Sequence, residues 1–227
     1  MEKQVISKQR VTDHGEVFTG KREVNAMLDL VKQETERIES RFLEPACGTG
    51  NFLREILTRK LNVVEQRYKK SQLEYERNAV VAVSSIYGID ILQDNVEECR
   101  RSLFGLFDWN YSSIFKTTAK NSCRNSMKYI LERNIIWGDA LTLKTVGDNP
   151  HYILFSEWSP VNTKMIKRRD FTFHGLLQHE SMKELPMFSD LGENVFIPQP
   201  EKEYPLVHFL ELEKQGNLSA DDTDGRR

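Results

Sequence analysis

Phe42-Leu43-Glu44-Pro45-Ala46-Cys47-Gly48-Thr49-Gly50-Asn51-Phe52-Leu53 decides how the rest of this chain is read. An apolar pair runs into an acid and a proline. A turn of small residues follows, with Gly48 and Gly50 two apart. A helix then begins, carrying Phe52, Leu53, Ile56, Leu57 and Leu61 on one face at helical spacing. Strand, tight glycine loop and helix is the arrangement that lets a ligand approach backbone N–H groups at a helix start.

Composition bounds the answer. The chain has 227 residues, 39% of them apolar and 29% charged, enough for one α/β domain with a sizeable core. Its formal net charge is −2, so no global basic field points to nucleic acid, and any such contact must be local. Cys47, Cys99 and Cys123 are far apart and read as reduced, buried thiols. His174 and His179 are five apart and do not share a helix face, so no metal site is expected. The opening MEKQVISKQR lacks the apolar core of a signal peptide, and no run is long enough to span a membrane. A cytoplasmic location is the expectation.

A helix is expected from about Lys21, with Val24, Met27, Leu28 and Val31 as its apolar stripe. Residues 62–78 are charged and read as helical. Ala79 to Val83 is a compact apolar run, and Ile86-Tyr87-Gly88-Ile89-Asp90 is an apolar strand ending in an acid. A helix follows from Asp94, with Asp94 and Glu97 at capping-box spacing. Trp109 and Tyr111 fall in an expected mixed loop. Another helix spans Ala119 to Glu132, and Ile135-Ile136-Trp137 leads as a short strand into Gly138-Asp139-Ala140. Glu44, Asp90 and Asp139 thus each end a successive strand, where ligands bind in open α/β sheets.

The dinucleotide fingerprint G-x-G-x-x-G fails here, because its third glycine falls on Leu53. Glu44 to Gly50 instead resembles the first motif of DNA methyltransferases that act on the exocyclic amine of adenine, D/E/N-P-x-C/A-G-x-G. His14-Gly15-Glu16-Val17-Phe18-Thr19-Gly20 resembles the G-E-V-F-T-P segment that precedes that loop in restriction–modification enzymes, with Gly20 in place of proline. The resemblance covers roughly residues 11–141. It implies a Rossmann-like fold, a mostly parallel sheet flanked by helices, that binds S-adenosyl-L-methionine (SAM). Phe18 and Thr19 would lie by the methionine end, and Glu44, Pro45, Ala46, Gly48, Gly50 and Asn51 would form the cofactor loop. Asp90 would accept from the ribose hydroxyls, with Ile91 and Leu92 flanking the adenine ring. Asp139 would accept from the ring's amine, and Ala140 would leave room for it.

The family's fourth motif, N/D-P-P-Y/F/W, has no clean copy. In that motif an amide or acid and a backbone carbonyl accept the amine protons, and an aromatic ring stacks on the flipped base. Asn149-Pro150-His151-Tyr152 is one change away but reads as a turn entering a strand. Ser156-Glu157-Trp158-Ser159-Pro160 reads as leaving that strand, so Glu157 and Trp158 are the expected catalytic residues. Lys164, Lys167, Arg168 and Arg169 are the dense basic cluster, open to a phosphate-contact reading or a solvated-loop reading. Pro205 to Leu212 reads as a closing strand or a docking segment for a partner, and Gly216 to Arg227 as disordered.

The expected organisation is a helical lid segment over residues 1–40, a methyltransferase domain over 41–197, and a proline-containing segment with a disordered tail over 198–227. The expected function is SAM-dependent methylation of adenine in DNA, as the modification component of a restriction–modification system. DNA is the expected partner, together with a specificity or restriction subunit. Two alternatives stay open: a SAM-binding subunit or regulator without transfer activity, and a methyltransferase for RNA or protein amines.

Overall fold

A computed structural model describes residues 10, 12, 19–177 and 199–217. Two sheets organise it. In the first, β1 (Phe42–Glu44), β2 (Ile86–Asp90) and β3 (Ile135–Asp139) lie side by side and parallel, with Glu44 opposite Gly88 and Asp90 opposite Trp137. A two-residue strand, β4 (Lys144–Thr145), adds antiparallel to β3. The second sheet is antiparallel throughout. It comprises β5 (Leu154–Pro160), β6 (Met165–Thr172), β7 (Lys202–Glu203) and β8 (Val207–His208). The fold is therefore mixed α/β, and the expectation of a mostly parallel sheet holds only for β1 to β3.

Helices α1 (Lys21–Asp29) and α2 (Lys32–Thr35) lie ahead of the first strand, and α3 (Asn51–Tyr68), α4 (Gln72–Ser84), α5 (Gln93–Phe115) and α6 (Asn121–Asn134) follow it. α3 buries Leu53, Ile56, Leu57, Leu61 and Val64, the stripe its spacing predicts. The charged stretch over 62–78 is two helices, not one. Ser71 ends the run by accepting from the Glu74 N–H at 3.4 Å as the cap of α4. α5 starts at Gln93 behind Leu92, with no side-chain cap. Asp94 accepts instead from the neighbouring Asn95 N–H and from Arg10. The loop expected around Trp109 and Tyr111 is helix. Leu103, Phe107 and Tyr111 recur every four residues and are fully buried, so packing carries α5 through a polar stretch.

The largest departure is at β5 and β6. The phrase Ser156 to Pro160 does not leave a strand; it is the strand. Phe155, Ser156 and Trp158 are buried along it, and Glu157 pairs with Arg169 in register. The basic cluster lies on or just before the opposing strand, where carboxylates absorb three of its four charges. Lys167 meets Glu203 at 2.9 Å, buried Arg168 meets Asp170 at 2.6 Å, and Arg169 meets Glu157 at 2.7 Å. A phosphate would have to displace these partners, which argues against the phosphate-contact reading.

One face of the first sheet carries the main core. On the other face, Tyr87 and Ile89 pack against Ile153, Phe155 and Phe173, and the Tyr87 hydroxyl donates to the Ser156 carbonyl at 3.0 Å. Val207–His208 does close onto β6, and Phe209 and Leu212 join the main core. Gly216 and Asn217 belong to a 3-10 turn over Leu212–Asn217. The expectation of a disordered tail for the residues after Asn217 lies outside the described residues.

Lys60 on α3 is fully buried. Its Nζ donates to the carbonyls of Arg37 at 3.0 Å, Ile38 at 2.9 Å and Ser40 at 2.5 Å, and to Ser85 Oγ at 2.8 Å. One ammonium thus ties the lead-in of β1 to that of β2. Burial pushes the group down to about 7. The unfolded chain then binds more protons than the folded one between about pH 7 and the ordinary lysine value, so this residue makes stability rise with pH across that window. Lys60→Met should cost about 2–3 kcal/mol by orphaning the carbonyls. It should also flatten the difference between urea melts at pH 7 and pH 9. Equal pH dependence in both proteins would count against a buried, titrating Lys60.

Candidate active site

The glycine loop is held from both sides. The Cys47 N–H donates to the Ile89 carbonyl at 2.8 Å, fastening the loop to β2. Gly48 and Gly50 have φ of 52° and 94°, left-handed values that glycine adopts at little cost. Gly50 caps α3, so that helix starts at the loop. The Asn51 amide donates to the Thr19 carbonyl at 3.1 Å, which joins the lead-in of α1 to the first turn of α3.

Asp90 is the hub. It is 8% exposed. Its Oδ2 accepts from the Gly48 N–H at 2.8 Å, and its Oδ1 from the Leu92 N–H at 2.9 Å and Asn95 Nδ2 at 3.2 Å. The acid that ends β2 therefore also grips the loop that follows β1. Asp139 holds its own loop, accepting from the Leu141 N–H at 2.9 Å and the Thr142 hydroxyl at 3.0 Å.

A cavity of about 540 Å³ opens at the carboxyl ends of the three parallel strands. Thr19, Glu44, Pro45, Ala46, Gly48, Asn51, Asp90, Ile91, Asp139 and Ala140, all expected from the sequence, line it together. Gly50 shapes the loop without lining the cavity, and Phe18 lies outside the described residues. Sequence reasoning missed Cys47, Phe52, Asn95, Gly138 and Leu141 on the wall. Asn95 was findable: it stands one turn into α5 and five residues after Asp90, within reach of that carboxylate.

Among the described residues, three carboxylates and no Lys, Arg or His line the cavity. A ligand carrying positive charge suits such a site, and a phosphate does not. Burial pushes the Glu44 carboxyl up from the ordinary range. The Cys47 thiol is also raised, by a hydrogen bond with Cys99 and then by burial, so it is an inert packing group rather than a nucleophile. Among the described residues no group of three or more His, Cys, Asp or Glu is arranged to hold a metal ion.

Glu157 and Trp158 do not line this cavity. Glu157 Oε1 is 2.5 Å from Arg41 Nη2; its Oε2 forms the close ion pair with Arg169, without a directed hydrogen bond. Trp158 is buried. Its indole N–H donates to Asn134 Oδ1 at 3.0 Å, and its ring meets Tyr129 edge-on at 6.1 Å. It has no open face for a base. Asn149 to Tyr152 lie in the connection between β4 and β5 and do not line the cavity, and the Tyr152 ring sits 4.9 Å from the His174 ring.

The model of the MmeI DNA-methyltransferase domain family matches residues 18–147. The chain belongs to this family. The match runs from before the glycine loop through all three strand-ending acids and stops ahead of β5. This methyltransferase-family segment therefore contains every residue that lines the cavity, while Glu157 and Trp158 lie beyond it. No curated protein and no solved structure matches the chain. Among the described residues, no helix is long and apolar enough to cross a membrane.

Proposed function

We propose that the chain uses SAM to methylate the exocyclic amine of adenine in DNA, as the modification component of a restriction–modification system. The observation that carries this is the acid-lined cavity at the ends of β1 to β3, bordered by the glycine loop, in a chain of the MmeI methyltransferase family. On this reading the parallel strands and their helices are a Rossmann-like SAM-binding core. Three carboxylates suit a sulfonium and an ammonium. Asp90 keeps a lone pair on Oδ2 for a ribose hydroxyl after serving Gly48, Leu92 and Asn95. Asp139 and Ala140 border the adenine ring, with Ile91 against it. Thr19 and Asn51 sit at the methionine end, where Phe18 also belongs. The lid over 1–40, the catalytic domain over 41–197 and the tail after it are the organisation that goes with this function. In-line transfer from SAM to the amine needs orientation and proton acceptors, and no covalent intermediate.

A second reading has its own support. Glu157 and Trp158 are engaged by Arg41, Arg169 and Asn134, and neither faces the cavity. A SAM-binding subunit that works with a specificity or restriction partner fits that placement. Transfer of labelled methyl from SAM to unmethylated DNA separates the two. Adenine labelling by the purified chain, lost in Asp90→Ala, is the result expected of an enzyme. Labelling should survive Glu157→Ala with less than about a tenfold loss, since Glu157 braces two arginines outside the cavity. SAM binding without labelling would favour the subunit.

A further inference from the structure

Asn95 joins two parts of the chain that are 85 residues apart. It is 3% exposed, on the first turn of α5. Its Nδ2 donates to Asp90 Oδ1 at 3.2 Å, and its Oδ1 accepts from Arg10 Nη2 at 3.1 Å. The same guanidinium forks onto Asp94, with Nη1 2.5 Å from Oδ2 and Nη2 3.3 Å from Oδ1. Asp94 in turn receives the Asn95 N–H at 3.0 Å, so the fork is held in place.

An amide has one accepting end and one donating end, and a guanidinium can only donate. Arg10 therefore selects the side-chain orientation in which the Asn95 oxygen faces Arg10 and the NH2 faces Asp90. Turned over, the amide would set an oxygen against the Asp90 carboxylate. That would push the carboxylate off the Gly48 N–H, which it holds at 2.8 Å, and turn the lone pair that remains for a ligand. From this geometry we infer that Arg10 and Asn95 are positioning residues for nucleoside binding: Arg10 orients the Asn95 amide, which orients the Asp90 carboxylate for the ribose diol. The inference rests on the cofactor reading above and adds a way for Arg10 to set cofactor affinity.

The test is calorimetric binding of SAM and of 5′-methylthioadenosine, which keeps the adenine and ribose diol but lacks the amino acid. The proteins are the full chain, Arg10→Ala, Asn95→Ala and the double variant, with melting temperatures alongside. Arg10→Ala should weaken both ligands by about 3- to 10-fold, the worth of one hydrogen bond, at an unchanged melting temperature. The double variant should bind no more weakly than Asn95→Ala, because the arginine acts through the amide. Additive losses, or a loss confined to SAM with 5′-methylthioadenosine unaffected, would overturn the inference, the latter by moving the effect to the methionine end. Wild-type binding with Arg10→Ala unchanged sinks the inference alone. Failure of the wild type to bind either ligand sinks the cofactor reading and the inference together.

Discussion

Asp90→Asn should lower SAM affinity by about 100-fold and cost the fold about 2–4 kcal/mol. Both effects come from one carboxylate. Its two oxygens accept three hydrogen bonds, from Gly48, Leu92 and Asn95, and the residue is 8% exposed. An asparagine offers one oxygen in place of two. Whichever way its amide turns, an NH2 faces a backbone N–H or the Asn95 NH2, donor against donor. The loop on Gly48 loses its anchor and the ribose loses its acceptor. Titration calorimetry and urea denaturation read the two losses separately. A variant that binds SAM within about threefold of wild type would remove Asp90 from the cofactor site, whatever happens to stability.

Gly50→Ala should destabilise the chain by about 3 kcal/mol. At φ 94° an L-residue is strained before any contact is considered. A Cβ there would also stand 2.7 Å from Cys99 Sγ, closer than carbon and sulfur can come. Cys99 is fully buried on α5, so it cannot simply swing away. Cys99→Ala opens that space. The double variant should then recover about 1 kcal/mol relative to the sum of the single changes, leaving the backbone strain uncorrected. Four urea melts measure this. Additivity would mean that the loop in solution does not press on α5 at this point.

The first half of the chain was legible because its signals are local. A glycine loop demands particular residues at particular positions, and an amphipathic helix repeats its apolar stripe whatever lies around it. Hence Glu44, Asp90 and Asp139 could be placed at three strand ends, and ten of the expected cofactor residues do line one cavity. The second half was read wrongly where pairing partners decide the outcome. Ser156 to Pro160 looks like a loop leaving a strand because it is short and polar. It is a strand because β6 supplies hydrogen bonds along its length and because Arg41 and Arg169 neutralise Glu157. The basic cluster stood open between a phosphate contact and a solvated loop because Glu203 and Asp170 reach it only once the antiparallel sheet has formed.

By itself, the sequence determined that a glycine loop joins a strand to a helix, that two further strands end in acids, and that the chain resembles adenine-amine methyltransferases. These follow from spacing along one segment at a time. Only the tertiary structure decided that Asp90 braces Gly48, that Asn95 and Arg10 stand behind it, and that Glu157 and Trp158 do not line the cavity. Apart from Asn95, which stands five residues after Asp90, those contacts join residues from tens to more than a hundred positions apart. Their geometry is set by how sheets and helices pack, which no local pattern encodes.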